Sequence, residues 1–283
     1  AYDEENGIEG VVERLAALEL GVPFELLVVN DGSEDATGER LEELSKRFPV
    51  LRVIEHPINR GYGAALKTGF AAAKHDVVVI TDADGTYPED RIKDLLARID
   101  DGAEMAIGAR IGANVHIPLI RRPAKNVLRL LASYLAGRKI PDLNSGLRAF
   151  RRELVMKYVP VLPNGFSFTT TITLASITNN HRVDYIKIDY APRSGRSKIK
   201  PIRDTLGFTA LIIRTVVYFN PLKVFYPAAL SLLALFVFSL SYDLFFVEGA
   251  PDMGDKTVLL FVAFVQVMSL GLVADLIDRK SHL

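Results

Sequence analysis

Two aspartates separated by one residue, Asp82 and Asp84, follow the apolar run Val77–Ile80 in the stretch VVVITDADGTYPED. Hard divalent cations such as magnesium or manganese take carboxylate oxygens and share their sphere with substrate phosphates. Two carboxylates held close repel, and a bound cation relieves that repulsion. The same pattern also suits a solvated turn, because Asp and Gly favour turns. Three other stretches carry comparable chemistry. In Asn30-Asp31-Gly32-Ser33, Asp31 is suited to accept from a base N–H or a ribose hydroxyl, and Ser33 to cap a following helix. In Asn59-Arg60-Gly61-Tyr62-Gly63, glycines at a helix entrance let backbone amides approach an anion, with the Arg60 charge beside them; Gly-x-Gly fits tight packing equally well. The basic candidates are Arg110, Arg122 in a helix that also bears Arg121, Lys125 and Arg129, and Arg193, Arg196, Ser197 and Lys198 in RSGRSKIK. Arginine binds phosphate bidentately, and a basic face also suits anionic lipid headgroups.

These residues need elements to hold them. Short β-rich runs lie at Glu25–Val29, Leu51–Glu55, Asp76–Ile80, Met105–Gly108 and Val183–Tyr190. Helical patterns fill Asp35–Phe48, Gly63–Lys74, Pro88–Asp100 and Leu119–Ala136. Strands alternating with helices predict βαβ units in a mostly parallel sheet, and ligands bind outside the carboxyl ends of such strands. NDGS and DAD stand at those ends.

The chain has 283 residues with 34 basic and 34 acidic side chains. Net neutrality gives no nucleic-acid signature, so no nucleic acid is expected as a partner. The absence of cysteine excludes disulfides, thiolate metal sites and a cysteine nucleophile. Five scattered histidines without HExxH spacing argue against a histidine metal centre. Charge is missing from Val224–Tyr242 and Thr257–Ala274, each close to the ~20 apolar residues that cross a bilayer. Both are apolar all round, where a core helix would show a polar stripe. They predict a transmembrane hairpin, with spans at 224–246 and 256–276. Arg214, Lys223, Arg279 and Lys280 flank it, and the linking loop is acidic. The positive-inside rule then places both termini and the N-terminal domain in the cytoplasm. Pro201–Phe219 mixes apolar and basic residues and reads as one or two interfacial helices.

Taken in order, NDGS, NRGYGAALKTGF, DADGTYP and Asp142-Leu143-Asn144-Ser145-Gly146-Leu147-Arg148 resemble the motifs of family 2 glycosyltransferases with the GT-A fold. The similarity is greatest to polyprenyl-phosphate glycosyltransferases, including dolichol-phosphate mannose synthases, and the two-span C-terminus resembles the bacterial branch. The resemblance covers essentially the whole chain. It implies a GT-A domain over 1–200, juxtamembrane helices over 201–222 and the hairpin over 223–283. AYDEENG resembles the end of the family's first strand, so that strand is expected to be missing from this chain.

The resemblance further implies that Asp31, Arg60, Gly61, Asp82, Ala83 and Asp84 contact the nucleotide sugar, and that Asp82 and Asp84 hold the divalent cation. Asp142, Asp84 and Arg110 would be catalytic, with Asp142 near sugar and acceptor. Arg148 would fix its loop or touch phosphate. Arg110, Arg122, Arg193, Arg196, Ser197 and Lys198 would gather the acceptor phosphate. Where the family often has glutamine two residues after the second aspartate, this chain has Thr86. The implied partners are a nucleotide-sugar donor, a polyprenyl phosphate and the membrane. Some members assemble as homo-oligomers, which leaves that state open here. A processive polysaccharide synthase would carry QxxRW, and the chain has no tryptophan. A non-catalytic membrane scaffold is the other alternative, opposed by the intact aspartates.

Overall fold

The computed structural model describes residues 1–115, 122–191, 201–246 and 253–281. It divides into two units, Ala1–Leu211 and Ile212–Leu283, with the boundary inside a helix.

In the first unit, helix α1 (Ile8–Ala16) buries Ile8, Val11, Val12 and Leu15, the i, i+3, i+4, i+7 face of an amphipathic helix. Strand β1 (Leu26–Asn30), helix α2 (Thr37–Arg47) and strand β2 (Leu51–Glu55) follow. β1 and β2 pair in parallel, with Leu26 opposite Leu51 and Asn30 opposite Glu55. Ile8, Val12, Leu41, Leu44 and Leu51 form the core between α1, α2 and this sheet. Ala1 lies along the other edge of β1: its amine donates to the Val29 carbonyl and its carbonyl accepts from the Asp31 amide.

Helix α3 (Tyr62–Ala72) leads to β3 (Val77–Ile80), a 3-10 turn over Glu89–Arg91 and α4 (Ile92–Asp100). Then come β4 (Met105–Val115), α5 (Arg122–Ala136), β5 (Arg148–Arg151), α6 (Arg152–Tyr158), α7 (Phe168–Thr178) and β6 (Val183–Tyr190). The second sheet has the order β3-β5-β4-β6. Here the expectation of a mostly parallel sheet is corrected. β4 and β6 are parallel, but β5 runs antiparallel to both β3 and β4. The sheet is mixed because the chain returns through the DLNSGLR loop into a reversed strand between two others. Its core joins Leu95, Ile99, Ala106, Ala149 and Ile188 from α4 and three strands with Leu147 of the loop before β5.

Helix α8 (Pro201–Phe219) is one continuous helix and carries the boundary between the units. In the second unit, α9 (Leu222–Phe246) and α10 (Asp255–Ser281) lie against each other. α9 is 25 residues long, and the apolar part of α10 covers Asp255–Ile277. Leu235, Phe238, Leu259 and Leu276 are exposed along them, which suits helices whose surroundings are hydrocarbon. At Gly271 the two helices pack closely: a Cβ there would fall 2.6 Å from Phe225 Cβ. Asp243 is buried near the end of α9. It accepts from the Gly254 amide and the Thr257 hydroxyl at the start of α10, with Lys256 Nζ 3.3 Å away.

The entrance of α3 is packed on the backbone of residues 163–165. A Cβ on Gly63 would sit 2.2 Å from the Pro163 carbonyl oxygen. Gly63→Ala is therefore expected to lower stability by about 1–3 kcal/mol through overpacking, read as a reduced midpoint of thermal unfolding in detergent.

Candidate active site

Asp82 and Asp84 lie half-buried just past the carboxyl end of β3. Tyr62, at the start of α3, donates its hydroxyl to Asp82 Oδ1 at 3.2 Å. Burial, and then the Asp82 charge, push the Tyr62 phenol well above its ordinary pKa, so it remains a donor. Thr86 donates both its hydroxyl, at 2.6 Å, and its amide, at 3.2 Å, to Asp84 Oδ1. α1 begins against this turn: a Cβ on Gly7 would fall 2.8 Å from the Ala83 carbonyl oxygen. Among the described residues no cluster of three or more His, Cys, Asp or Glu groups forms a complete cation cage. Two carboxylates fit a cation whose remaining positions belong to water and substrate phosphate.

Asp31 has turned inward. Its carboxylate accepts from His56 Nδ1 at 2.6 Å and from the backbone amides of Arg60, at 3.0 Å, and Gly61, at 2.8 Å. The β1–β2 register explains the contact. Asn30 and Glu55 are opposite each other, so the residues that follow them, Asp31 and His56, emerge together. The other ring nitrogen, Nε2, lies 2.9 Å from Thr68 Oγ1, so the imidazole is held at both ends. Burial opposes the Asp31 charge, but the bonds from His56, Arg60 and Gly61 outweigh it and lower its pKa. Asp31 thus anchors the NRGYG loop, and the Arg60 and Gly61 amides face Asp31. The Arg60 residue is exposed. Gly61 has φ +99° and no room for a Cβ, which would meet the Asn164 carbonyl oxygen at 2.6 Å. Ser33 does not cap α2; its hydroxyl donates to Asn30 Oδ1, while Asp35 accepts the Thr37 amide in the first turn.

The DLNSGLR loop is built around Asp142, which is 1 % exposed. Arg110, on β4 where the β4–β6 register breaks, grips it with two side-chain bonds of 2.7 and 2.9 Å and a backbone bond of 3.1 Å. Burial disfavours the guanidinium charge, but Asp142 reverses the balance, and Arg110 is held cationic. Its guanidinium also lies 5.3 Å from the centre of the Tyr190 ring. Arg148 is fully buried and donates to the carbonyls of Leu143, Ser145 and Thr169 and to the Thr173 hydroxyl. It fixes the loop. Gly146 then lies against Asp82, where a Cβ would stand 2.7 Å from both carboxylate oxygens, and its amide donates to Tyr87 Oη at 2.6 Å. Tyr87 packs edge-on against Tyr190.

The structure therefore brings Asp82, Asp84, Asp142 and Arg110 into one connected network, with Asp31 and the Arg60–Gly61 loop reaching it through Tyr62. Arg122 opens α5, but its side chain lies outside the described residues, as do Arg193, Arg196, Ser197 and Lys198. Sequence reasoning missed His56, Tyr62, Tyr87 and the loop at Asn164. For His56 the available signal was position: it follows β2 as Asp31 follows β1.

Removing the imidazole in His56→Ala leaves the buried Asp31 short of its side-chain donor. The expected cost is about 1–3 kcal/mol, measured by thermal or denaturant unfolding. Because the folded-state pKa of Asp31 is depressed, its contribution is present above the ordinary value of 3.8 and lost as pH falls through the folded value. Unfolding midpoints should fall on acidification below about pH 4 in the parent protein, and Asp31→Asn should lack that part of the acid dependence.

Comparison with known proteins gives this arrangement a family. Residues 1–159 match the family model described as glycosyl transferase family 2. Residues 220–279 match that of the GtrB C-terminal hairpin. The undecaprenyl-phosphate 4-deoxy-4-formamido-L-arabinose transferase of Pseudomonas savastanoi pv. phaseolicola is 29 % identical over 98 % of this chain and 83 % of its own length. The dolichyl-phosphate hexose transferase of Haloferax volcanii is 33 % identical over 71 % of this chain and 84 % of its own. The solved structure of glucosyl-3-phosphoglycerate synthase from Mycobacterium tuberculosis, in complex with Mn2+, UDP-glucose and phosphoglyceric acid, shares the fold. Its TM-score is 0.58 at 22 % identity, covering 77 % of this chain and 76 % of that one. The chain belongs to glycosyl transferase family 2 and is a glycosyltransferase with a GT-A fold and an apolar two-helix C-terminus.

Proposed function

We propose that this enzyme transfers one sugar from a nucleotide sugar, a UDP-sugar or GDP-mannose, to a polyprenyl phosphate at the cytoplasmic face of a membrane. The observation that carries the reading is the packing of Gly146 against Asp82. It puts the turn suited to a donor diphosphate beside the loop suited to sugar and acceptor. The likeness to an undecaprenyl-phosphate transferase over nearly the whole chain, hairpin included, supports a lipid acceptor.

In this reading Asp82 and Asp84 hold Mg2+ or Mn2+, which supplies charge to stabilise the departing nucleoside diphosphate. Tyr62 and Thr86 keep the two carboxylates oriented. The exposed Arg60 adds charge on the donor side. A polyprenyl phosphate is already an anionic nucleophile, so no general base is required. The work left to the protein is positioning and charge neutralisation. Arg110, fixed by Asp142, supplies a permanent cation for the acceptor phosphate, with Arg122, Arg193, Arg196, Ser197 and Lys198 as further contacts. Asp142 is buried and doubly bonded to Arg110. That makes it an orienting group, and a single in-line displacement inverts the anomeric carbon.

The test is a radiolabel transfer assay into lipid extract with a panel of UDP- and GDP-sugars, with and without EDTA. One donor should give an organic-soluble, acid-labile product that EDTA abolishes, and Asp84→Ala should lower its formation by at least about 100-fold, the scale of a lost transition-state charge contact. No lipid product with any donor defeats the proposal.

A further inference from the structure

Thr86 takes the place where the resembling family often has glutamine, and its geometry shows a different use. It is 2 % exposed, and its three polar groups are all engaged. The hydroxyl and the amide both donate to Asp84 Oδ1. The carbonyl accepts from the Ala191 amide at 3.0 Å, just past the end of β6. The turn is thereby tied to a neighbouring strand by its backbone while the side chain holds the carboxylate. A hydroxyl 2.6 Å from an ionised carboxylate is a charge-assisted donor, and such bonds are roughly twice as strong as neutral ones. Burial away from competing water strengthens it further.

We propose that Thr86 is a positioning residue for Asp84: it fixes the carboxylate in one orientation before a divalent cation arrives and does not itself join the cation's sphere. The inference rests on the reading of Asp84 as a cation ligand. A carboxylate free to rotate would lose that freedom on binding, and Thr86 removes the loss in advance.

The experiment measures Mn2+ binding directly, by electron paramagnetic resonance titration of the full chain in detergent with UDP or GDP present. It compares the parent with Thr86→Ser, Thr86→Val, Thr86→Ala and Asp84→Asn, with thermal unfolding as the fold control. Thr86→Val and Thr86→Ala should each weaken Mn2+ binding about tenfold, the scale of one charge-assisted hydrogen bond, while Thr86→Ser stays within about twofold. The alanine variant carries the test if valine does not fold. Two results overturn the proposal while leaving the cation reading intact: parent-like binding in both hydroxyl-free variants with binding lost in Asp84→Asn, or an equal loss in serine and valine. Parent-like Mn2+ binding in Asp84→Asn overturns the cation reading, and this inference with it.

Discussion

The pairing of Arg110 with Asp142 is the interaction on which the site depends. Asp142 is 1 % exposed and the Arg110 side chain 16 %, and removing one partner from a buried ion pair is strongly destabilising. Together they join β4 to the DLNSGLR loop through one carboxylate that also takes the Arg110 and Asn144 amides. Asn144 then accepts from Thr170 on α7, and Arg148 donates to the Leu143 and Ser145 carbonyls of the loop and to the Thr169 carbonyl of α7, tying the two together. With the loop fixed in this way, Gly146 can lie flat against Asp82.

Strand ends in this fold collect acidic side chains, and acidic side chains crowded together repel. The chain answers with a local donor for each: His56 and two amides for Asp31, Arg110 for Asp142, Tyr62 for Asp82 and Thr86 for Asp84. The donors differ in a way that matters. Asp142 faces a full positive charge, and Asp31 a histidine and backbone amides. Asp82 and Asp84 take hydroxyls from Tyr62 and Thr86, donors that orient a carboxylate without themselves bringing a charge. Asp31 and Asp142 are built into the framework by donors that also tie loops together.

The parts of the fold legible in the sequence are those in which burial leaves a simple pattern. The runs VVVI and LLVV are at least partly buried at every position, with no exposed face to mark by polar residues, and VDYIKIDY alternates because one face is exposed. The hairpin announces itself by lacking charge. β5 was hidden because RAFR holds two arginines in four residues, and the partners of the buried Arg148 include Thr169 and Thr173 on α7, more than twenty residues on. α7 was hidden for another reason: FTTTITLASIT is rich in β-branched residues that favour strands, yet tertiary burial on nearly every side makes it a helix without a polar stripe. Asp31 was visible as a candidate, but His56, placed just after β2 as Asp31 is after β1, becomes its partner only through the parallel register of the two strands.

Gly146 carries a consequence for how such an enzyme could diversify. Its neighbour on the open side is the Asp82 carboxylate, with no space for even a methyl group. A side chain at this position must push that carboxylate aside, and on the other flank one at Gly61 or Gly63 must displace the backbone of residues 163–165. New substrate preferences would have to be written in the exposed rim instead. Phe166 is the clearest vacancy for such change: its ring stacks on Tyr62, yet the residue is 75 % exposed. The packed acidic centre resists change through its contacts, and the exposed aromatic margin beside it does so far less.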